Sequence, residues 1–175
     1  MDKELVVANL KTHEGFRSHT YICSLGYATI GYGTLISVLK AHKEAISRLK
    51  NTIITDSSIW EIELTTKEAD ILLRLELDLE LNEFKDEYIY FNNLLQNYQC
   101  LLADMCYQLK ASGVLEFKNM LKGMEEKNDL KVIKNMKDSK WYKQTPNRVK
   151  SLINLYILKW EQPIMDRSQE CDSCQ

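Results

Sequence analysis

The run TTKEADILLRLELDLELNEFKDEY, residues 65–88, constrains the fold more than any other stretch. It opens on a capping box: Thr65 at the N-cap accepts from the backbone, and Glu68 reaches back to the Thr65 amide. Behind it two periodicities compete. Leu73, Leu75, Leu77, Leu79 and Leu81 alternate as in a strand, whereas Leu72, Leu75 and Leu79 share a helical face. Leucine and glutamate are strong helix formers, and nothing after Ile71 is β-branched. The reading is therefore one long, acidic helix of about five turns.

The rest of the chain agrees with a helical majority. Only 6 glycines and 2 prolines occur among 175 residues, too few turn-formers for a many-stranded β fold. Residues 2–12 read as a short helix with Leu5 and Ala8, and in second place Val6 and Leu10, inward; Gly15 stops it, which leaves Glu14 at the helix C-terminus. There the helix dipole disfavours its charge. From Tyr21 to Thr34 the texture changes to Tyr, Ile, Thr and Cys interleaved with Gly26, Gly31 and Gly33, a β-hairpin or small meander turning near SLGY. Helices follow at about 37–50, 94–110 (broken by ASGV), 115–124 and 129–137. A last one runs from Pro146 to Trp160 with the proline in its first turn. The fold class expected is α+β and mostly helical. A small β-containing lobe (about 1–64) is joined by the long helix (about 66–88) to a helical lobe (about 89–163), all one domain, with a polar tail over 164–175.

Composition excludes several functions. A net charge of −2 gives no general attraction to nucleic acid, although 118–150 is locally basic. No apolar run reaches the roughly 18–20 residues of a membrane span. The opening MDKELVVANLK has no apolar signal core. An odd count of 5 cysteines suits free thiols in a reducing compartment. Cys100 and Cys106 read as core. Cys171-x-x-Cys174 supplies two ligands where zinc takes four, and His13, His19 and His42 have no ligand spacing, so no metal is expected.

Two segments carry a resemblance. HEGFRSHTYICSLGYATIGYGT, residues 13–34, is similar to the catalytic segment of the T-even phage-type lysozymes of glycoside hydrolase family 24. That family spaces Glu, eight residues, Asp or Cys, five residues, Thr, and Glu14, Cys23 and Thr29 meet the spacing. WYKQTPNRVKSLI, residues 141–153, resembles the family's late W-Y-x-Q-T-P-N-R segment. LTTKEA, and the Cys, Tyr, Gln and Leu of 106–109 before Ser112-Gly113-Val114, sit at matching places between them.

The resemblance implies a muramidase: an endolysin that cuts the β-1,4 bond between N-acetylmuramic acid and N-acetylglucosamine. Glu14 would be the general acid, which needs a pKa raised toward neutrality. Arg148 would be its ion-pair partner and would oppose that rise. Cys23 stands where many relatives carry Asp. It could act as a thiolate base or nucleophile, hold the attacking water together with Thr29, or impair the site. Leu35, Tyr107, Met120 and Asn135 fall at the family's glycan-contacting positions, with Tyr107 a possible stacking surface and Met120 in place of a small polar residue. The resemblance further implies peptidoglycan as substrate, no cofactor, no nucleic acid, no membrane insertion and a monomer. The enzyme would be made in a host cytoplasm and reach the periplasm through a holin lesion. The alternative is a lysozyme-like protein that binds peptidoglycan and cuts it poorly.

Overall fold

The structure, a computed structural model, describes residues 1–36 and 40–160. The expected tail over 164–175, with Cys171-x-x-Cys174, and the start of the helix expected at 37 lie outside them.

Helix α1 spans Lys3–Glu14, capped by the Asp2 carboxylate, which accepts from the Leu5 amide at 3.0 Å. Its buried stripe is Val6, Val7 and Leu10; Ala8, expected inward, faces solvent. Gly15 ends the helix at φ 69°, a conformation without steric cost only for glycine, and turns the chain into the sheet. Strands β1 (Arg17–Ile22), β2 (Ala28–Gly31) and β3 (Thr34–Leu35) form an antiparallel sheet in that order. The turn between β1 and β2 covers 23–27, closed by the Gly26 amide on the Cys23 carbonyl at 2.9 Å. Tyr21 lies opposite Thr29, and Thr29 opposite Leu35, so these three share one face of the sheet.

Helix α2 is Lys40–Lys50, and a 3₁₀ turn at Ser58–Glu61 leads to α3, Thr66–Glu87. The capping box is complete: Thr65 Oγ1 accepts from the Glu68 amide at 3.3 Å, and Glu68 Oε2 accepts from the Thr65 amide at 2.7 Å. The buried stripe is Ala69, Leu72, Leu73, Glu76, Leu77, Leu81 and Phe84. Leu79, expected inward with Leu72 and Leu75, is 45% exposed. At about 100° per residue it lies some 200° round from Leu77, so the alternating leucines wrap the helix and do not line one side.

The helical lobe comprises α4 (Gln96–Leu115), α5 (Lys118–Glu125), α6 (Asp129–Lys137), α7 (Lys140–Gln144) and α8 (Pro146–Ile153), closed by a π turn at Asn154–Leu158. Helix α4 packs along α3 and also meets α1. It does break, but at Lys110 (φ 65°, ψ 161°) and not at ASGV, which is helical again. The last helix keeps α geometry only to Ile153, short of Trp160. Helix α7 was not foreseen; Ser139 caps it, accepting from the Tyr142 amide at 3.0 Å. The architecture is the expected one: a small sheet-bearing lobe, a long helix and a helical lobe. Leu72, Leu73, Leu77, Leu101 and Leu102 have no exposed surface where α3 meets α4. Truncating any of them to Ala would cost about 2–5 kcal/mol.

Candidate active site

Glu14 is the last residue of α1. Its side chain approaches the β2–β3 turn and keeps 27% of its surface exposed, although the residue as a whole is open at the helix end. Its Oε2 lies 3.9 Å from where a side chain on Gly33, in the β2–β3 turn, would begin. Its Oε1 accepts from Arg148 Nη1 at 3.4 Å, a long contact. Arg148, on the first turns of α8, is 8% exposed and gives its shorter bond to another acid: Nη2 donates to Asp104 Oδ1 at 2.7 Å. The two opposed influences on Glu14 are therefore unequal. Burial pushes its carboxyl above the ordinary value; Arg148 opposes this, and the charges of Asp104 and Glu76 add to the rise.

The sheet supplies the second group. Cys23 is partly exposed at the start of the β1–β2 turn. Its thiol is held below its usual value, first by the Thr29 hydroxyl and then by the Tyr27 amide, with the amides of Leu25 and Cys23 itself adding to them. Backbone N–H groups converging on one atom in a tight turn favour negative charge there. Thr29 is buried at 1% exposure, and its hydroxyl donates to the Tyr27 carbonyl at 3.0 Å. The hydroxyl has one proton, so it donates either to the Tyr27 oxygen, as here, or to a Cys23 thiolate, and not to both. Tyr21 lies near both Glu14 and Cys23. Burial raises its phenol, and the charges of Cys23 and Glu14 act on it in the same direction.

The remaining expected positions separate. Leu35 stands beside Thr29 on the sheet face, and its carbonyl is bonded to His42 Nδ1 at 2.8 Å. Tyr107 is 7% exposed, and its hydroxyl donates to the Tyr32 carbonyl at 2.8 Å, tying α4 to the β2–β3 turn. Met120 and Asn135 share an open cavity of about 680 Å³ on the helical lobe, beside Phe117 and Trp141. Met120 has no exposed surface, and Asn135 Nδ2 donates to the Lys131 carbonyl at 2.7 Å. Trp141 is held from behind by its indole N–H on Gln108 Oε1 at 3.1 Å.

A family model described as phage lysozyme matches residues 11–155, which include Glu14, Cys23, Thr29 and Arg148. The chain belongs to the phage lysozyme family. It is 33% identical over 153 residues to probable T4-type lysozyme 2 of Dictyostelium discoideum, covering 84% of this chain and 90% of that one. It is 32% identical to probable T4-type lysozyme 1 of the same organism, over 83% and 89% of the two chains. The pre-baseplate central spike protein Gp5 of Enterobacteria phage T4 is 29% identical over 85% of this lysozyme but only 27% of the spike protein. The chain is thus a glycoside hydrolase of the lysozyme type, with a muramidase-like function and peptidoglycan as its substrate class. Among the described residues no helix is long and apolar enough to cross a membrane, and no cluster of three His, Cys, Asp or Glu could hold a metal ion.

Sequence reasoning missed Asp104. It is fully buried and accepts from Asn9 Nδ2 at 2.6 Å and from the Tyr156 hydroxyl at 3.3 Å, besides Arg148. The available signal was one acid inside the apolar run CLLADMCYQL, since a charge there must have a partner. Asn9, Tyr156 and Tyr21 carried no comparable signal.

Proposed function

We propose that this lysozyme hydrolyses the β-1,4 bond between N-acetylmuramic acid and N-acetylglucosamine, with Glu14 as general acid. The observation that carries the reading is the partly buried Glu14 carboxyl at the end of α1, held above its ordinary pKa with only a long 3.4 Å contact to its cation. Such a group still has a proton to deliver to the bridging oxygen when solution carboxylates do not. As the leaving sugar departs, Glu14 becomes an anion, and Arg148 is in place to stabilise it. Positive charge develops at the anomeric carbon, and water attacks from the opposite face.

Cys23 and Thr29 position and activate that water in this reading. The thiol's depressed pKa makes a thiolate available, and the Thr29 hydroxyl supports it. Direct attack by water inverts the anomeric centre, whereas attack by the thiolate would retain it. NMR of the freshly released anomer distinguishes the two. Leu35, Tyr107 and Asn135 belong to the walls along which the glycan lies, and Met120, with no exposed surface of its own, backs the wall on the helical lobe. The working unit extends from residue 1 to about 163 as a single monomeric domain. In a phage setting it waits in the host cytoplasm and meets the wall after a holin opens the membrane.

The test is turbidity loss of outer-membrane-permeabilised Gram-negative cells with the wild type and Glu14→Gln, followed by mass spectrometry of digested sacculi. Equal lysis by both proteins would remove Glu14 from the mechanism, and a reducing end other than N-acetylmuramic acid would change the bond. The replacement of an expected carboxylate by Cys23 favours a second reading, a peptidoglycan binder with weak catalysis. A many-fold gain of activity in Cys23→Asp would support it.

A further inference from the structure

A buried guanidinium beside a general acid is a hazard to it. Arg148 has five donors in one plane, and a bidentate grip on Glu14 would hold that carboxyl in its ionised form. No such grip forms here. One Nη1 contact reaches Glu14 at 3.4 Å, Nη2 is committed to Asp104 at 2.7 Å, and Nε is buried with no hydrogen-bond partner. The fork therefore has an unused donor and meets Glu14 through one long contact only. Asp104 does not yield, because it is itself fixed. Its other oxygen accepts from Asn9 Nδ2 at 2.6 Å and from the Tyr156 hydroxyl at 3.3 Å, and the side chain has no contact with solvent. Its three donors come from α1, from α8 and from the π turn after α8, so α4 holds the acid at the point where these segments converge.

The geometry points to Asp104 as a positioning residue for the general acid: by holding Arg148 through Nη2 it keeps the guanidinium off Glu14, so that Glu14 enters the reaction with its proton. The assignment rests on the reading of Glu14 as proton donor. The groups facing Glu14 are Arg148 from α8, Asp104 from α4, Glu76 from α3 and Tyr21 from β1, with the buried Tyr107 also within electrostatic reach. His13, its neighbour on α1, sits near both Arg148 and Asp104. Arg148 is the cation that pulls Glu14 toward its ionised form, and the charges of Asp104 and Glu76 oppose that pull. Loss of the Asp104 charge acts twice in one direction. It removes an anion near Glu14, and it frees the Arg148 fork to close on Glu14.

Asp104→Asn keeps the shape and removes the charge. The experiment measures kcat and KM against pH on soluble peptidoglycan fragments, and titrates the Glu14 carboxyl by ¹³C NMR in both proteins. The expected result is an alkaline limb of kcat displaced to lower pH and a Glu14 titration displaced with it. At neutral pH kcat falls roughly tenfold, with the loss recovered on acidification and KM little changed. A uniform loss at every pH, with the Glu14 titration unmoved, would mean that Asp104 only supports the fold, and would overturn the assignment. If Asp104→Asn does not fold, the wild-type titration decides: Glu14 titrating at or below the range of exposed glutamates would show that Arg148 is not restrained. Should Glu14→Gln keep full activity, the proton-donor reading falls by itself, and the NMR titration still reports what Asp104 does to Glu14.

Discussion

Lys110 reaches back to Glu76 at 2.7 Å while its own backbone holds φ 65° and ψ 161°, a region that glycine ordinarily occupies. Glu80 lies 3.1 Å from the same ammonium and also accepts from the Ala111 amide. The break in α4 is thus paid for by ion pairs to α3. Beyond Glu76 lies His42, also buried, with Nε2 at 4.0 Å, so one chain of polar groups runs from the helical lobe to α2 and the sheet.

This arrangement predicts an unusual order of stability. Lys110→Ala loses the ion pairs and keeps the strained backbone, at a cost of about 3 kcal/mol because Glu76 is left buried. Lys110→Gly loses the same pairs but relieves the backbone, and should be more stable than Lys110→Ala by about 1 kcal/mol. In an ordinary helix interior glycine is the worse residue. Urea denaturation of the three proteins checks the order.

Glu14 predicts a stability gain on removing its charge. Its folded pKa lies above the unfolded value, so between the two the folded state binds more protons. Its contribution is therefore fully present below the unfolded pKa and is lost as pH rises through the folded one. Glu14→Gln should raise Tm at pH 7 by roughly 2–4 °C, kept small by the partly exposed position, and the gain should vanish in acid. Melting curves from pH 4 to pH 8 test it (about the span of ordinary and raised carboxylates).

Gly31 faces α3 with φ 67°, and a Cβ there would meet the Ala69 Cβ at 3.1 Å. Gly31→Ala combines a left-handed backbone with overpacking of the sheet against the long helix. The expected cost is about 1–3 kcal/mol. A paired Ala69→Gly should recover only the steric part, and a double-mutant cycle separates the two contributions.

Cys23 and the buried thiols should react very differently. Burial pushes the Cys100 thiol up to about 11 and raises Cys106 further, while Cys23 is depressed and partly exposed. Iodoacetamide on the folded enzyme should label Cys23 at least about tenfold faster than either. Thr29→Val should shift the pH-dependence of Cys23 labelling upward, because it removes the hydroxyl that stabilises the thiolate. Peptide mass spectrometry reads each site separately.

Much of the fold was legible because it is written in local chemistry. Thr65 and Glu68 cap α3 through atoms three residues apart, and Gly15 ends α1 by its own backbone freedom. Pro146 starts α8 because its missing N–H has no partner to lose there. Errors came where only neighbours decide. Leu79 and Leu77 are the same residue type in the same helix, and only the position of α4 makes one buried and one exposed. Nothing in the letters LKASG marks Lys110 as the break, since lysine adopts that backbone only with Glu76 and Glu80 already beside it.

The sequence by itself determined the helix-rich architecture and the ordered trio Glu14, Cys23 and Thr29, because caps, turn residues and short spacings act within a few bonds. Tertiary structure alone decided how Arg148 divides between Glu14 and Asp104, residues 134 and 44 positions away from it along the chain. Electrostatic energy depends on ångström separations and on exclusion of water, and neither is fixed until distant segments have packed together.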